Sequence, residues 1–467
     1  MSGAASSLRR PAWRRVEAAW DLARLDRRDA APSGWIPATV PGAVQLDWAR
    51  ARGMPGPVFG QNVRLYDNLE DFHWLYRTRV PETRLAETEQ LVFACEGVDY
   101  ACEVRLAGRS VLRHEGLFTP FEISLAGCPP GAELDILILP APKLAGAPAD
   151  RTQASHVCKP AVSYGWDWHP RLIPLGLWAA AGFIVRPKAH LRHVDFACTL
   201  SEDLSEAAIR VTAEEEGGGA PPRWRLLDNE GTPVLEGGAA AAALHRPRLW
   251  WTHDHGEPYL YTLEVLAAGG DLHRQAVGFR RVRLVMDEDG WGQPQGFPLS
   301  RNHPPVTVEL NGRVIFAKGS NWVNAAIFPG SITAETLRPL LRLAREANFN
   351  ILRSWGGAIV NPEAFFDQCD ELGLLVWQEF PLACNRYPDD SAYLRVLDQE
   401  SRSIIRRLRL HPCLGIWGGG NELFNAWSRM TDQSLPIRLL NRNCYELDPG
   451  TPFLPTAPVE GMGHGSL

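Results

Sequence analysis

Short apolar runs alternate with amphipathic segments from residue 314 to residue 455, and this alternation restricts the fold more than any other feature. Strands that are joined through helices lie parallel in one sheet. The predicted strands are residues 314–318, 350–353, 374–377, 413–417 and 452–455, and the predicted helices are residues 333–348, 362–372, 392–410 and 435–446. The pattern therefore predicts a β/α region of the (β/α)8 TIM-barrel type.

Polar and aromatic residues stand where the predicted strands end. They are Arg353 and Trp355 after the second strand, Gln378 and Glu379 at the end of the third, and Asn421 and Glu422 after the fourth. The carboxyl ends of parallel strands meet at one rim, where barrel enzymes hold their catalytic groups. We therefore expect these six side chains to converge on one mouth.

The run Trp417-Gly418-Gly419-Gly420-Asn421-Glu422 is the strongest candidate for chemistry. Glycines let a backbone turn sharply and come close to a ligand. Glu422 has the chemistry to protonate a leaving group, and Asn421 has the chemistry to hold a neighbouring hydroxyl. The alternative interpretation is a glycine-rich turn with a helix-capping asparagine.

The first 285 residues have the strand pattern of all-β domains. Residues 1–185 contain short runs broken by Pro and Gly, which predicts a jelly-roll-like β-sandwich. Residues 186–285 predict an Ig-like β-sandwich that orients its neighbours. Residues 286–467 form the predicted barrel region, and the Gly-, Pro- and Asp-rich stretch 287–305 reads as a linker.

One predicted loop places three aromatic residues around one acid. Its sequence is Ser163-Tyr164-Gly165-Trp166-Asp167-Trp168-His169-Pro170. One interpretation is that this loop lends Asp167 and Trp168 to a binding site in a neighbouring domain. The other is an aromatic-anchored loop in which Asp167 caps a turn.

Charge and cysteine usage exclude several classes of partner. The formal net charge of −6 argues against nucleic acid or an anionic membrane as a partner. No apolar run reaches transmembrane length, and no signal peptide is recognisable. Nine scattered cysteines indicate neither a disulfide framework nor a zinc site, and they favour a cytoplasmic location. His253 and His255 share one loop without a third ligand, so we predict no metal.

The chain resembles glycoside hydrolase family 2, especially its β-mannosidase branch. The sugar-binding N-terminal domain of the family is matched by Pro41-Gly42-Ala43-Val44, Phe59-Gly60-Gln61-Asn62 and Trp74-Leu75-Tyr76-Arg77. The loop that this domain inserts toward the active site is similar to Tyr164-Gly165-Trp166-Asp167-Trp168. Barrel strands one to four resemble Lys318-Gly319-Ser320-Asn321-Trp322, Arg353-Ser354-Trp355-Gly356-Gly357, residues 366–379, and His411-Pro412 through Asn421-Glu422.

The resemblance implies a retaining exo-β-glycosidase that hydrolyses terminal non-reducing β-D-mannosyl residues of a glycoside or oligosaccharide substrate without a cofactor. Glu422 would be the general acid/base, and Asn421 would bind the hydroxyl next to the anomeric carbon. The sugar subsite would be shaped by Arg353, Trp355, Trp377, Glu379, Asp167 and Trp168. One departure is Glu379, which stands where the mannosidase branch more often has Asp.

The nucleophile of this family is a Glu at the end of strand seven, and that position has no counterpart here. Only 45 residues follow Glu422 in the 467-residue sequence, and Glu460 has no strand-turn context. The sequence therefore predicts an incomplete barrel that a second chain or a missing C-terminal segment completes. The alternatives are exo-β-glucosaminidase, β-galactosidase or β-glucuronidase specificity, or a non-catalytic carbohydrate-binding fragment.

Overall fold

The computed structural model describes residues 9–218, 221–238, 241–286 and 306–459. The predicted linker 287–305 and Glu460 lie outside these described residues. Along the described chain, two β-sandwiches are followed by a small antiparallel sheet and then by a parallel sheet with helices.

The first sandwich consists of two antiparallel sheets. A six-stranded sheet has the order β3-β2-β4-β9-β6-β7, and a four-stranded sheet has the order β1-β10-β5-β8. Its strands are β1 Arg14–Val16, β2 Trp20–Leu25, β3 Ile36–Ala38, β4 His73–Arg79, β5 Glu89–Cys95, β6 Ala101–Leu106, β7 Arg109–Glu115, β8 Phe121–Ser124, β9 Glu133–Ile138 and β10 Ala181–Pro187. Helix α1, Val44–Arg52, precedes β4. Trp74, Tyr76, Phe93 and Phe183 are fully buried in its core, as expected for inward-facing strand positions.

The second sandwich also has two antiparallel sheets, with the orders β11-β12-β15 and β14-β13-β16-β17. Its strands are β11 His190–Leu200, β12 Glu206–Glu216, β13 Arg223–Leu227, β14 Pro233–Gly237, β15 Ala242–His245, β16 Tyr261–Leu266 and β17 Leu272–Val277. Alternate residues of these strands, among them Ile209, Val211, Trp224 and Leu226, are buried in a separate core.

The predicted β/α region is a five-stranded parallel sheet in the order β21-β22-β23-β24-β25. Its strands are β21 Gly319–Trp322, β22 Ile351–Ser354, β23 Leu375–Glu379, β24 Leu414–Gly418 and β25 Phe453–Leu454. The helices between them are α2 Ala334–Glu346, α3 Glu363–Leu372, α4 Ser391–Leu408 and α5 Leu435–Leu447. Local signals fix their ends: a Thr333/Thr336 capping box starts α2, Gly373 in the left-handed region ends α3, and the Asp390 carboxylate caps α4.

The prediction for the first barrel strand was wrong. Residues 314–318 do not form a parallel strand. Strands β18 Val282–Met286, β19 Val306–Leu310 and β20 Arg313–Ile315 form an antiparallel sheet, and the first parallel strand is β21. Asn311 and Gly312 both have positive φ and form the two-residue hairpin turn that joins β19 to β20. An Asn-Gly pair strongly favours such a turn.

The predicted domain boundaries stay predictions, but both fall close to or inside strands of the structure. The boundary at 185/186 lies within β10, and the boundary at 285/286 lies within β18. The boundaries were placed where the Pro and Gly content changes, which indicates loops. The composition does not show that backbone hydrogen bonds extend a strand across such a boundary.

Candidate active site

The glycines after β24 let the chain pass between its neighbours. A Cβ on Gly419 would lie 2.3 Å from the carbonyl oxygen of Pro455, and one on Gly420 would lie 2.5 Å from that of Leu382. Gly420 also has a φ of +148°. Any side chain here would displace the backbone, so glycine is required for this approach. The turn delivers Asn421 and then Glu422 to the rim.

Glu422 is held in an uncommon backbone conformation by its surroundings. Its φ is +52°, a region that non-glycine residues seldom occupy. Its N–H donates to the carbonyl of Ala457 over 3.0 Å, and its own carbonyl accepts from the Ser428 hydroxyl over 2.6 Å. Such strained positions persist where neighbouring groups over-determine them. The backbone therefore aims the partly exposed carboxyl of Glu422 into the cavity.

Arg353 connects the ends of four neighbouring strand segments. Its Nη2 donates to Asn421 Oδ1 and to Glu379 Oε1, both over 2.7 Å, and its Nη1 donates to Asn321 Oδ1 over 3.0 Å. A planar guanidinium offers several donors in fixed directions. Because Asn421 Oδ1 accepts from Arg353, the amide nitrogen of Asn421 points the other way, toward the Cys384 sulfur.

Glu379 and Trp377 lie beneath this layer and do not line the cavity. The Glu379 side chain is fully buried, and its second oxygen accepts from the Gly356 N–H over 2.7 Å. Burial raises the pKa of Glu379, and the Arg353 charge offsets this only in part. Trp377 lies under the Arg353 guanidinium, 5.3 Å from ring centroid to carbon. Glu379 therefore holds Arg353 by hydrogen bonds, and Trp377, the register neighbour of Arg353 on β23, packs against its guanidinium.

A loop of the first sandwich supplies the aromatic wall. Trp166 and His169 exchange backbone hydrogen bonds of 3.0 and 3.2 Å, so Asp167 and Trp168 occupy the tip of a tight turn. The Trp166 and Trp168 rings lie 4.8 and 5.5 Å from the Trp355 ring. Trp168 is 52% exposed, so its ring face is available to a ligand. Such faces pack against the apolar side of sugars.

These groups surround one cavity of about 660 Å³. Its lining includes the predicted residues Asp167, Trp168, Arg353, Trp355, Asn421 and Glu422. It also includes residues that were not predicted as site residues: Arg151, Trp166, Asn321, Val323, Cys384 and Trp427. Cys384 and Trp427 lie on the loops after β23 and β24, so the rule that placed Glu422 at the rim was sufficient to indicate them.

This chain is similar to a glycoside hydrolase domain and to β-mannosidases. A family model described as "Glycosyl hydrolase 2 galactose-binding domain-like" matches residues 20–179. The chain is 27% identical to β-mannosidase B of Thermothelomyces thermophilus over 94% of this chain and 55% of that protein. The rat β-mannosidase is 27% identical, with 91% and 54% covered.

A solved β-D-mannosidase from Dictyoglomus thermophilum superposes with a TM-score of 0.81 at 27% identity, covering 97% of this chain and 58% of that one. The resemblance to glycoside hydrolase family 2 and its β-mannosidase branch is confirmed. β-Glucuronidase 3 of Bacteroides uniformis shares the fold, with a TM-score of 0.69 at 19% identity. The chain spans just over half the length of these three β-mannosidases.

The two histidines on one loop have local protein partners in this chain. His253 Nε2 lies 2.7 Å from the Phe349 carbonyl, and His255 Nδ1 lies 2.8 Å from Asp254 Oδ1. Among the described residues, one group has potential metal-ligand spacing, namely Asp370, His411 and Cys413. His411 and Asp370 form an ion pair there, and burial raises the pKa of the Cys413 thiol, which disfavours the thiolate that metals bind.

Within the described ranges, no helix is long and apolar enough to cross a bilayer. The cytoplasmic location stays a prediction from cysteine usage.

Proposed function

We propose that this chain carries the acid/base site of a retaining exo-β-glycosidase that releases terminal non-reducing β-D-mannosyl residues. One observation carries the proposal: the Glu422 carboxyl shares a cavity with the Asn421 amide and a wall of tryptophans from two regions of the chain. The β-mannosidase relatives support the choice of sugar.

Glu422 acts first as an acid and then as a base in this proposal. It donates a proton to the glycosidic oxygen as the bond to the anomeric carbon breaks, and it later takes a proton from the attacking water. Asn421 offers its amide to the hydroxyl beside the anomeric carbon. Trp166, Trp168 and Trp355 exclude water and pack on the sugar ring.

The nucleophile comes from outside the described residues in this proposal. A retaining mechanism needs a second carboxyl group about 5–5.5 Å from the first. Among the described residues, Asp167 is the other acid that lines the cavity, and it sits on an exposed turn of the first sandwich. Glu379 is buried, and Arg353 and the Gly356 N–H occupy its two oxygens.

Exposed apolar surface supports the same proposal. The described parallel sheet has β21 and β25 at its edges. Phe316, three residues before β21, and Leu343, on the helix α2 that follows it, have side chains that are 80% and 60% exposed. Exposed strand edges and apolar patches of this kind are usually covered by further structure. A further segment or a second chain would cover this surface and supply the nucleophile.

The first test is a sugar panel on the purified 467-residue chain. We expect a mannose-configured iminosugar to bind more tightly than its glucosamine-, galactose- and glucuronate-configured counterparts. A folded chain that binds none of them overturns the proposal, and preference for another sugar changes the specificity. Turnover of an aryl β-mannoside by this chain alone would contradict the proposal that a further segment or a second chain supplies the nucleophile.

The acid/base role is tested by Glu422→Gln in a form that turns over. Hydrolysis of substrates with poor leaving groups should fall by about 10²–10⁴-fold. Activated aryl glycosides need little protonation and should lose far less in the glycosylation step. Equal loss on both substrate classes would count against Glu422 as the acid.

A further inference from the structure

The segment after β23 is paired to the segment that carries the acid/base candidate. The Asn421 N–H donates to the carbonyl of Leu382 over 2.9 Å, and the Cys384 N–H donates to the carbonyl of Asn421 over 3.0 Å. Cys384 itself has a φ of +49°, which is uncommon for a residue with a side chain. This backbone arrangement places the Cys384 side chain against both Asn421 and Glu422.

The sulfur of Cys384 stands between two polar groups of the site. Its S–H donates to Glu422 Oε2 over 3.3 Å, and Sγ accepts from Asn421 Nδ2 over 3.3 Å. A thiol is a weak donor and a weak acceptor, so one sulfur atom serves both contacts. Burial, with the nearby Glu422 carboxylate, raises the pKa of the Cys384 thiol to about 12. The donor hydrogen is therefore present at neutral pH.

We propose that Cys384 is a positioning residue that fixes the carboxyl of Glu422 and the amide of Asn421 in one arrangement. Holding Oε2 leaves Oε1 to face the glycosidic oxygen. The contacts continue from Asn421 through Arg353 to Glu379, so buried groups orient the group at the cavity surface. The inference rests on the proposed function, in which Glu422 is the acid.

The first test needs no catalysis. The rate at which iodoacetamide alkylates Cys384 is measured at pH 8 by peptide mass mapping of the 467-residue chain. Glu422→Gln removes the negative charge that opposes the thiolate, so we expect the rate to rise about tenfold for each unit that the thiol pKa falls. The matched control is Glu230→Gln, because Glu230 lies in an exposed turn of the second sandwich. If the alkylation rate of Cys384 is unchanged in Glu422→Gln, the contact between Cys384 and Glu422 is overturned.

The second test compares Cys384→Ala with Cys384→Ser in a form that turns over. Alanine removes the donor, and serine keeps one. We expect Cys384→Ala to lower kcat for poor leaving groups by about tenfold with little change in KM, and Cys384→Ser to restore most of that loss. Equal loss in both variants, or equal loss on all leaving groups, overturns the positioning role.

The two proposals fail in different ways. If the chain binds no sugar, the proposed function is wrong while the alkylation result still reports on the Cys384 contact. If sugar binds and Glu422→Gln behaves as an acid variant but the alkylation rate does not change, only the role of Cys384 is wrong.

Discussion

The two β-sandwiches contact opposite ends of the same parallel sheet. The first contacts the carboxyl ends of the strands: the Val162 N–H donates to the carbonyl of Gly357, and the Asn385 amide donates to that of Arg151. The second contacts the amino ends: the Trp250 indole donates to the Asp370 carbonyl, and the His253 N–H donates to that of Gly373.

The two sandwiches have similar folds, but they have different roles because they contact different ends of the parallel sheet. Parallel α/β proteins place their chemistry at the carboxyl ends of the strands and stability at the other end. The first sandwich therefore contributes Arg151, Trp166, Asp167 and Trp168 to the cavity, whereas none of the described residues of the second sandwich lines it. Four predictions, ordered by their effect on the free energy of unfolding, test this division.

The largest effect is expected from Trp250→Ala at the amino end. The Trp250 side chain is fully buried and packs with residues of the parallel sheet region. Removing it should lower the free energy of unfolding by about 3–5 kcal/mol. Denaturant unfolding measures the loss, and sugar affinity of the remaining folded protein should not change. Weakened sugar binding would show that the second sandwich also shapes the site.

A pH dependence is expected from His411, which precedes β24. Burial lowers its pKa, but Asp370 and Glu363 more than offset this and hold the pKa at about 9. A raised folded-state pKa stabilises the fold below the unfolded value of about 6.5, and that stability is lost as pH rises through 9. The free energy of unfolding should fall by on the order of 3 kcal/mol between pH 6.5 and 9.5. In His411→Gln this slope should be absent.

A smaller effect is expected from Glu400→Ala, where α4 contacts the first sandwich. The Glu400 carboxylate accepts from the backbone N–H groups of Leu117 and Phe118, and from the Thr119 hydroxyl. Alanine leaves these donors without that acceptor, which should cost about 1–3 kcal/mol. Sugar affinity should fall as well, because this sandwich carries the aromatic loop. Ser403→Ala, which removes one hydrogen bond to the Phe118 carbonyl, is the milder control.

The smallest effect on stability is expected from Trp168→Ala. This side chain is half exposed at a loop tip, so the free energy of unfolding should change by less than about 0.5 kcal/mol. Sugar affinity, measured by calorimetry, should fall by about tenfold or more because a stacking surface is lost. Tyr445→Ala removes another exposed aromatic residue, on α5, and should leave sugar affinity unchanged. A large loss of stability in Trp168→Ala would contradict the division of roles.

The sequence predicted the parallel strands well because burial on both faces leaves a continuous apolar run. The last four were predicted to within two residues at each end. The first was wrong, since Val314 and Phe316 look like a buried strand but are 61% and 80% exposed. The Asn311-Gly312 turn was the signal that such a run belongs to a hairpin.

The site was predictable where a residue follows a strand in the sequence, and less so where distant segments meet. Six of the eight predicted residues line the cavity, whereas Trp377 and Glu379 lie beneath it. The pattern of polar and apolar residues along a strand does not show which of its side chains will be covered by residues of the neighbouring strands. Arg151 lies in a short 3-10 helix that follows strand β9 of the first sandwich by more than ten residues, and only tertiary structure brings it to the cavity that Glu422 lines.

The turn that carries Asp167 and Trp168 has a consequence for how recognition can change. Backbone hydrogen bonds between Trp166 and His169 hold this turn, and its two tip residues are exposed. Their side chains can therefore vary without disturbing the fold, unlike the glycines after β24, which tolerate no side chain. Libraries that seek a different sugar preference should begin at positions 167 and 168, where new variants will mostly remain folded.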